Sequence, residues 1–265
     1  MNAWPERTAG FLQAVRDGRP MIHHLTNAVV TNLTANVTLC LGAAPVMAPC
    51  IREVEEMVSH AGALLLNIGT LDDALIESML AAGRKANALG VPVVLDPVGA
   101  GATALRTQAA GRILDEVRVT VLRGNAGEAI TLAGLGGKVR GVDSLEGLGE
   151  REEAVATLAR ERGLVVAVTG PVDLVTDGRR SVRVHNGHPL LGRVTGTGCS
   201  ATTAVAAFLA SSPSEPLAAS AFGVAAETAA EDARGPGTFV PRLLDALAGL
   251  EPASLLRRVR MEETA

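Results

Sequence analysis

The densest chemistry in the chain lies in Thr195-Gly196-Thr197-Gly198-Cys199-Ser200, directly ahead of an Ala-rich helical stretch over 201–210. Two glycines before a helix let successive backbone amides converge. The helix start adds partial positive charge, so the segment can cradle a phosphate or a developing oxyanion. Thr195, Thr197 and Ser200 could equally serve as ordinary helix caps. Cys199 falls in the first helical turn, where the dipole lowers a thiol's pKa, although a lone cysteine there also packs as a small hydrophobe. Gly196, Gly198 and Ala201 match the dinucleotide spacing G-x-G-x-x-A, but that fingerprint needs flanking strands and an acid about 20 residues on. Ser211-Ser212-Pro213-Ser214-Glu215-Pro216 follows instead. A Walker A loop is excluded: the two lysines are Lys85 and Lys138, and Lys138 precedes Val139, with Leu132 where the first glycine belongs.

Further candidates stand at the ends of apolar runs. Asp96 follows Val93-Val94-Leu95 and precedes Pro97. An acid there suits magnesium or the phosphate side of a nucleotide, or opens a turn through its own hydrogen bonds. Asn125-Ala126-Gly127-Glu128 has capping-box spacing, while a functional reading sets Glu128 beside Asp96 around a hydrated Mg²⁺. Arg123 can fork onto a phosphate. Val168-Thr169-Gly170 ends a further run in the same way. His23 and His24 are adjacent, so in an extended segment they face opposite ways, as structural residues rather than joint metal ligands.

The elements that must position these groups are legible from periodicity. Apolar runs at 63–68, 91–98, 117–122 and 164–168 are nearly continuous, as in strands buried on both faces of a parallel sheet. Helix-like stretches intervene, such as 71–89, where Ala74, Ile76, Met79, Leu80 and Ala86 fall at helical spacing. Two alternating stretches, 173–176 and 180–185, flank Asp177-Gly178 and predict a hairpin. The expected architecture is α/β: one mostly parallel sheet flanked by helices, with a late antiparallel hairpin, in a single domain over 1–265. The glycine-rich segment 134–153 reads as a surface loop. After Gly198 the chain reads as helical nearly to its end, interrupted at 211–216 and 235–241. The clusters that end the apolar runs, at 66–70, 96–101, 123–125 and 168–170, then fall at the carboxyl ends of strands, where open α/β sheets bind ligands.

Composition narrows the function classes. Among 265 residues, 48% are hydrophobic and 20% charged, which is globular composition. A net charge of −4 and scattered arginines argue against a nucleic-acid partner. Four Phe, one Trp and no Tyr are too few for a base-stacking platform. Mean hydropathy is +0.27, yet no apolar stretch reaches the roughly 18 residues of a membrane span. Trp4-Pro5-Glu6-Arg7 occupies the place of a signal peptide's apolar region, and Cys40, Cys50 and Cys199 lack metal-type spacing. Free thiols in a cytoplasmic setting are the expectation.

The clusters, taken in order, resemble the hydroxyethylthiazole kinase family, which has a ribokinase-like fold. The resemblance runs from about His23 to about Leu250. It rests on His24-Leu25-Thr26-Asn27, the stretch from Asn32 to Asn36, Gly42-Ala43-Ala44-Pro45-Val46-Met47 and Asn67-Ile68-Gly69-Thr70. Leu95-Asp96-Pro97-Val98-Gly99-Ala100-Gly101, Arg123-Gly124-Asn125 with Glu128, Val168-Thr169-Gly170 and Thr195-Gly196-Thr197-Gly198-Cys199 complete it. The terminal cysteine discriminates, because most ribokinase-like relatives carry aspartate there.

The resemblance implies transfer of the γ-phosphoryl of ATP to a thiazole alcohol, in thiamine biosynthesis or salvage. It implies thiazole contacts from Asn27 and Met47, with Gly196 beside the hydroxyethyl group. Arg123 and Thr169 would hold ATP, and Asp96 and Glu128 would support Mg²⁺. Thr197 and Gly198 would belong to an anion hole ending at Cys199, which stands where relatives place a catalytic base. A homotrimer with sites between subunits is implied too. Ala44 and Cys40 depart from the family's usual serine and alanine. The competing readings are a kinase or ATP-dependent hydro-lyase of another small substrate, a dinucleotide oxidoreductase built on Gly196–Ala201, and a non-catalytic binding module.

Overall fold

The computed structural model describes residues 4–135, 148–212 and 221–264. Strands β1 (Met21–Leu25), β2 (Ala44–Val46), β3 (Ala63–Asn67), β4 (Val93–Asp96), β5 (Val121–Asn125) and β6 (Val165–Thr169) run parallel. β7 (Asp173–Thr176), β8 (Ser181–Val184) and β9 (Met261–Thr264) continue the sheet antiparallel, in the order β2-β1-β3-β4-β5-β6-β7-β8-β9. The helices before the hairpin are α1 (Trp4–Gly18), α2 (Thr31–Leu41), α3 (Val54–Val58), α4 (Asp73–Leu89), α5 (Ala104–Glu116), α6 (Ala126–Ile130) and α7 (Leu148–Arg162). Those after it are α8 (Thr197–Ser211), α9 (Ala221–Asp232), α10 (Pro236–Ala248) and α11 (Pro252–Arg258).

Both faces of the sheet are covered, which explains why its strands read as continuous apolar runs. Ile22, Leu65, Val94 and Val121 point into one core, with Leu12 of α1, Val37 of α2, Phe208 of α8 and Phe239 of α10. Leu64, Leu66, Leu95 and Leu122 point into the other, with Met79 and Leu80 of α4, Ile113 of α5 and Leu158 of α7. α4 shows how such a helix is specified. The Asp72 side chain caps its start by accepting the Leu75 N–H at 2.7 Å, and Gly90 at φ 74° ends it. α8 is buried almost all round, so it is built from small residues such as Ala204, Ala206 and Ala207 that let neighbouring elements approach.

Four expectations need correction. The run at 117–122 begins too early: Val117 closes α5 by donating its N–H to Ile113 O, and the strand proper starts at Val121 and runs on to Asn125. Within the expected loop 134–153, Gly134 turns out of the preceding helical segment at φ 82°, and α7 is already under way from Leu148. The rest of that loop, 136–147, lies outside the described residues, as does 213–216 of an expected helix interruption. The interruption at 235–241 is instead the start of α10. Pro236 occupies its first turn, where a missing N–H costs nothing, and Pro241 is carried inside it. Finally, the chain after α11 closes the sheet with β9, whose Met261-Glu262-Glu263-Thr264 has no apolar run to betray it.

Candidate active site

Because β1, β3, β4, β5 and β6 run in register, their carboxyl ends form one line: Leu25 opposite Leu66, Asn67 opposite Asp96, and Asn125 opposite Thr169. The chain leaves β1 toward β2 on one side and returns to β3 on the other, so the line crosses a topological switch point, where such sheets bind ligands. The start of α8 faces this line.

A hydrogen-bonded relay occupies its centre. Asn27, just past β1, donates from Nδ2 to Asn67 Oδ1 at 2.8 Å. Asn67 in turn donates from Nδ2 to Asp96 Oδ2 at 2.8 Å and to Cys199 Sγ at 3.2 Å. Thr202, one turn beyond Gly198 on α8, donates to the same Asp96 Oδ2 at 2.8 Å. Gly69 N–H also donates to Asn67 Oδ1, and Asn27 Oδ1 accepts from Val29 N–H, so both amides are fixed in orientation. Gly69 is pressed against Asn27: a Cβ there would lie 2.5 Å from Nδ2.

Asp96 is fully buried, and burial pushes its carboxyl up to about 6 against the pull of Arg123 and the Thr202 hydroxyl. Its Oδ1 is buried with no hydrogen-bond partner. Cys199 sits in the first turn of α8, as expected. Its thiol is not lowered by that position, however: burial, and then the charge of Asp96, push it up. The helix-start argument fails because a desolvated thiolate beside a carboxylate is costlier than the dipole can offset.

On the far side of Gly198 lies Arg123, buried near the end of β5. Its Nη2 donates to Thr169 Oγ1 at 2.6 Å, and its Nε has no partner. A Cβ on Gly198 would lie 3.0 Å from Arg123 Nη1, so only glycine leaves the guanidinium this close to the helix start. Gly196 adopts φ 84° and packs on Val30, which lets the chain enter α8. The first intrahelical bond is Ser200 N–H to Gly196 O, so the amides of Thr197, Gly198 and Cys199 precede it. The Thr197 hydroxyl points elsewhere, donating to Leu191 O and Val194 O, and thereby anchors the loop.

Glu128 realises the capping box: Oε2 accepts Asn125 N–H, and Asn125 Oδ1 accepts Glu128 N–H. Its Oε1 accepts Gly99 N–H from the loop after β4, which draws that loop beside Asp96. A carboxylate with two such bonds keeps further lone pairs. Among the described residues no three His, Cys, Asp or Glu side chains form a metal cage. Two carboxylates, one bearing an unpartnered buried oxygen, fit a cation that keeps most of its water, as Mg²⁺ does.

Met47 stands outside this cluster, half-buried just past β2 at the sheet edge. His23 and His24 are structural, as expected: His23 Nε2 bonds Ala48 O and His24 Nε2 bonds Thr38 Oγ1. Beside Arg123, Thr169 and Gly198 opens a cavity of about 560 Å³, walled farther out by Asp173, Asn186 and Phe222. The segment before Gly196 is a 3₁₀ turn, Pro189–Arg193, so the strand that a dinucleotide fingerprint requires is absent there. Asn67 belongs to a strand-end cluster and a family motif already legible in the sequence, though without a role, whereas Thr202 and Asp173 are site residues that sequence reasoning passed over. Thr202 could have been found, since four positions after Gly198 in a helix is the same face.

A parallel sheet finished by antiparallel strands, with ligand groups along its carboxyl edge and a glycine-rich helix start facing them, defines a ribokinase-like fold. A ribokinase-like superfamily protein from Enterococcus faecalis matches with TM-score 0.61 at 12% identity, covering 88% of this chain and 87% of that one, which bears on the fold alone. The particular family follows from closer matches. The hydroxyethylthiazole kinase family profile matches residues 12–253. A hydroxyethylthiazole kinase from Rubrobacter xylanophilus is 54% identical over 262 residues, covering 96% of this chain and 97% of its own. The structure of a hydroxyethylthiazole kinase protein from Pyrococcus horikoshii matches with TM-score 0.89 at 45% identity, covering 98% of this chain and all of that one. The chain belongs to the hydroxyethylthiazole kinase family.

Proposed function

We propose that the protein transfers the γ-phosphoryl group of ATP, with Mg²⁺, to the hydroxyl of 5-(2-hydroxyethyl)-4-methylthiazole, a step of thiamine biosynthesis or salvage. One observation carries this reading. The start of α8 has the Asn27–Asn67–Asp96 relay and Cys199 on one side of Gly198, and Arg123 with its cavity on the other. An acceptor and a phosphate donor can thus meet at the same backbone amides.

Each residue then has a task. Asn27, with Gly196 beside the hydroxyethyl group, orients the thiazole. Arg123 and Thr169 hold the triphosphate, and Arg123's unpartnered Nε is a donor to spare. The amides of Thr197, Gly198 and Cys199 receive charge developing on the transferred group. Asp96 and Glu128 would hold the metal through water, and a bound Mg²⁺ neutralises charge on the phosphates. Cys199 directs the acceptor hydroxyl. Phosphoryl transfer has a loose transition state in which the alcohol loses its proton late, so a thiol held neutral is adequate there. Met47 would reach a neighbouring subunit's site in a homotrimer. Exposed Val29 and Ile51, close in sequence to Asn27 and Met47, support such an assembly.

The test is Mg²⁺-dependent ATP consumption with the thiazole alcohol, with mass analysis of the product and a hydroxymethylpyrimidine as control acceptor. A thiazole phosphomonoester is expected. Turnover with the pyrimidine alone, or with neither, overturns the reading.

A further inference from the structure

The 560 Å³ cavity beside Arg123 has a single acidic residue among the described residues that line it, Asp173 at the start of β7. This is an unexpected group in a pocket read as the site of a polyanion, because a carboxylate repels phosphate oxygens and can face only hydrogen-bond donors. A nucleotide offers two kinds of neutral donor: the ribose hydroxyls and, on some bases, an exocyclic amine.

Position decides between them. Asp173 Oδ1 accepts the Gly170 N–H at 2.9 Å, and Gly170 directly follows Thr169, which is bonded to Arg123. Burial pushes the Asp173 carboxyl up, against the Gly170 N–H and the charge of Arg123. The carboxylate is therefore tethered one residue from the pair assigned to the phosphates. Within a nucleotide the ribose adjoins the phosphates, whereas a base amine lies at the opposite end. Only Oδ1 is used by the Gly170 turn, which leaves Oδ2 for a ligand. A carboxylate that accepts from a ribose hydroxyl is also a common way for α/β proteins to read that sugar.

We propose that Asp173 accepts hydrogen bonds from the ribose hydroxyls of the bound nucleotide and makes the protein discriminate ribonucleotides from deoxyribonucleotides. This rests on the cavity being the nucleotide site. A site built around a substrate hydroxyl rejects the analogue that lacks it, because its polar group is left unpaired. For a charged acceptor the loss is roughly ten- to hundredfold in affinity.

The experiment is calorimetric titration of the full chain, in Mg²⁺ buffer, with ATP, 2′-deoxy-ATP and 3′-deoxy-ATP. It compares the unaltered protein with Asp173→Asn. Asparagine keeps an oxygen for the Gly170 N–H, so the turn survives, and an unchanged melting temperature verifies this. The unaltered protein should bind at least one deoxy analogue about tenfold or more weakly than ATP. In Asp173→Asn that ratio should collapse to about twofold, mainly by loss of ATP affinity. Equal binding of all three nucleotides by the unaltered protein overturns the proposal. So does a ratio preserved in the variant. Both results leave the nucleotide site standing if ATP binds. Failure of every nucleotide to bind overturns the cavity assignment and this inference with it.

Discussion

Gly69→Ala puts a methyl group where the structure has no room for it. The new Cβ would stand 2.5 Å from Asn27 Nδ2, 2.8 Å from its Cγ and 3.0 Å from its Cβ. Gly69 itself is poorly placed to retreat. Its N–H is bonded to Asn67 Oδ1, and its carbonyl accepts from Arg106 Nη2 at 2.9 Å. The same guanidinium also bonds Ile68 O and Val98 O, pinning two loops together. Asn27 must therefore give, by about 1 Å to restore an ordinary contact. Such overpacking costs about 1–3 kcal/mol. The displaced Nδ2 also loses its bond to Asn67, whose oxygen keeps only the Gly69 N–H, for about another 1 kcal/mol. In a chain of this size the melting temperature should fall by roughly 4–12 °C. If Asn27 orients the acceptor, a displacement of this order should cost about 10²-fold in thiazole kcat/KM while leaving the ATP KM within about twofold. Calorimetry and steady-state kinetics read both numbers. Gly111→Ala is the control: nothing lies within 4 Å of its added Cβ, and it sits inside α5, where alanine should be neutral or stabilising. A Gly69→Ala protein with unaltered melting temperature and unaltered thiazole kinetics would refute the reasoning.

Asp96→Asn should trade activity for stability. The native carboxyl titrates near 6 against 3.8 in the unfolded chain, so the folded state holds the extra proton between these values. The unaltered protein therefore carries a penalty, at most on the order of 3 kcal/mol, that is complete above pH 6 and disappears as pH falls toward 4. In metal-free buffer the variant should melt higher at pH 8, with the difference vanishing near pH 4 and turnover falling at least about tenfold. A variant less stable at every pH would count against it. Cys199→Asp should remain active within about tenfold near pH 8, since an aspartate can accept from Asn27 and Asn67 as the sulfur does. Its activity should drop at lower pH, as a proton becomes shared with Asp96, and a folded but inactive variant would contradict this. Glu227→Gln should raise the ATP KM and spare the thiazole KM. The Glu227 carboxylate accepts from Gly187 N–H, Asn186 Nδ2 and Arg260, and so fixes two residues of the cavity wall. Equal effects on both KM values would show that the wall matters only to folding.

Legibility followed chemistry and burial. β3 and β4 were readable because a covered parallel strand must be apolar at every position, as Ala63-Leu64-Leu65-Leu66 and Val93-Val94-Leu95 are. β1 carries His23 and His24 in its middle, and their polar atoms hid a strand buried from Ile22 to Leu25 from any hydropathy argument. β9 is short and polar, made a strand by its partner β8 alone. In the site, the residues that end strands announced themselves: Asp96, Arg123 with Asn125, and Thr169. Their mutual arrangement did not, because register across strands far apart in sequence is fixed by packing. That is why the capping role of Glu128 was visible and its second bond, to Gly99, was not. Likewise the thiol of Cys199 had a readable helix position, but its neighbour Asp96 comes from 103 positions earlier in the chain.

The relay through Asn67 has a polarity. Asn27 gives to Asn67, Asn67 gives to Asp96, and Thr202 gives to the same oxygen. The chain of donors runs to one buried carboxylate, with side branches to Cys199 Sγ, and reversing either amide would set donor against donor or acceptor against acceptor. On the roles proposed above, the acceptor pocket and the group that would hold the cation share one wiring direction. A substitution at Asn27 then also disturbs the partner of Asp96, and on those roles substrate range and metal handling would have to be altered together, with Asn67 as the residue through which each constrains the other.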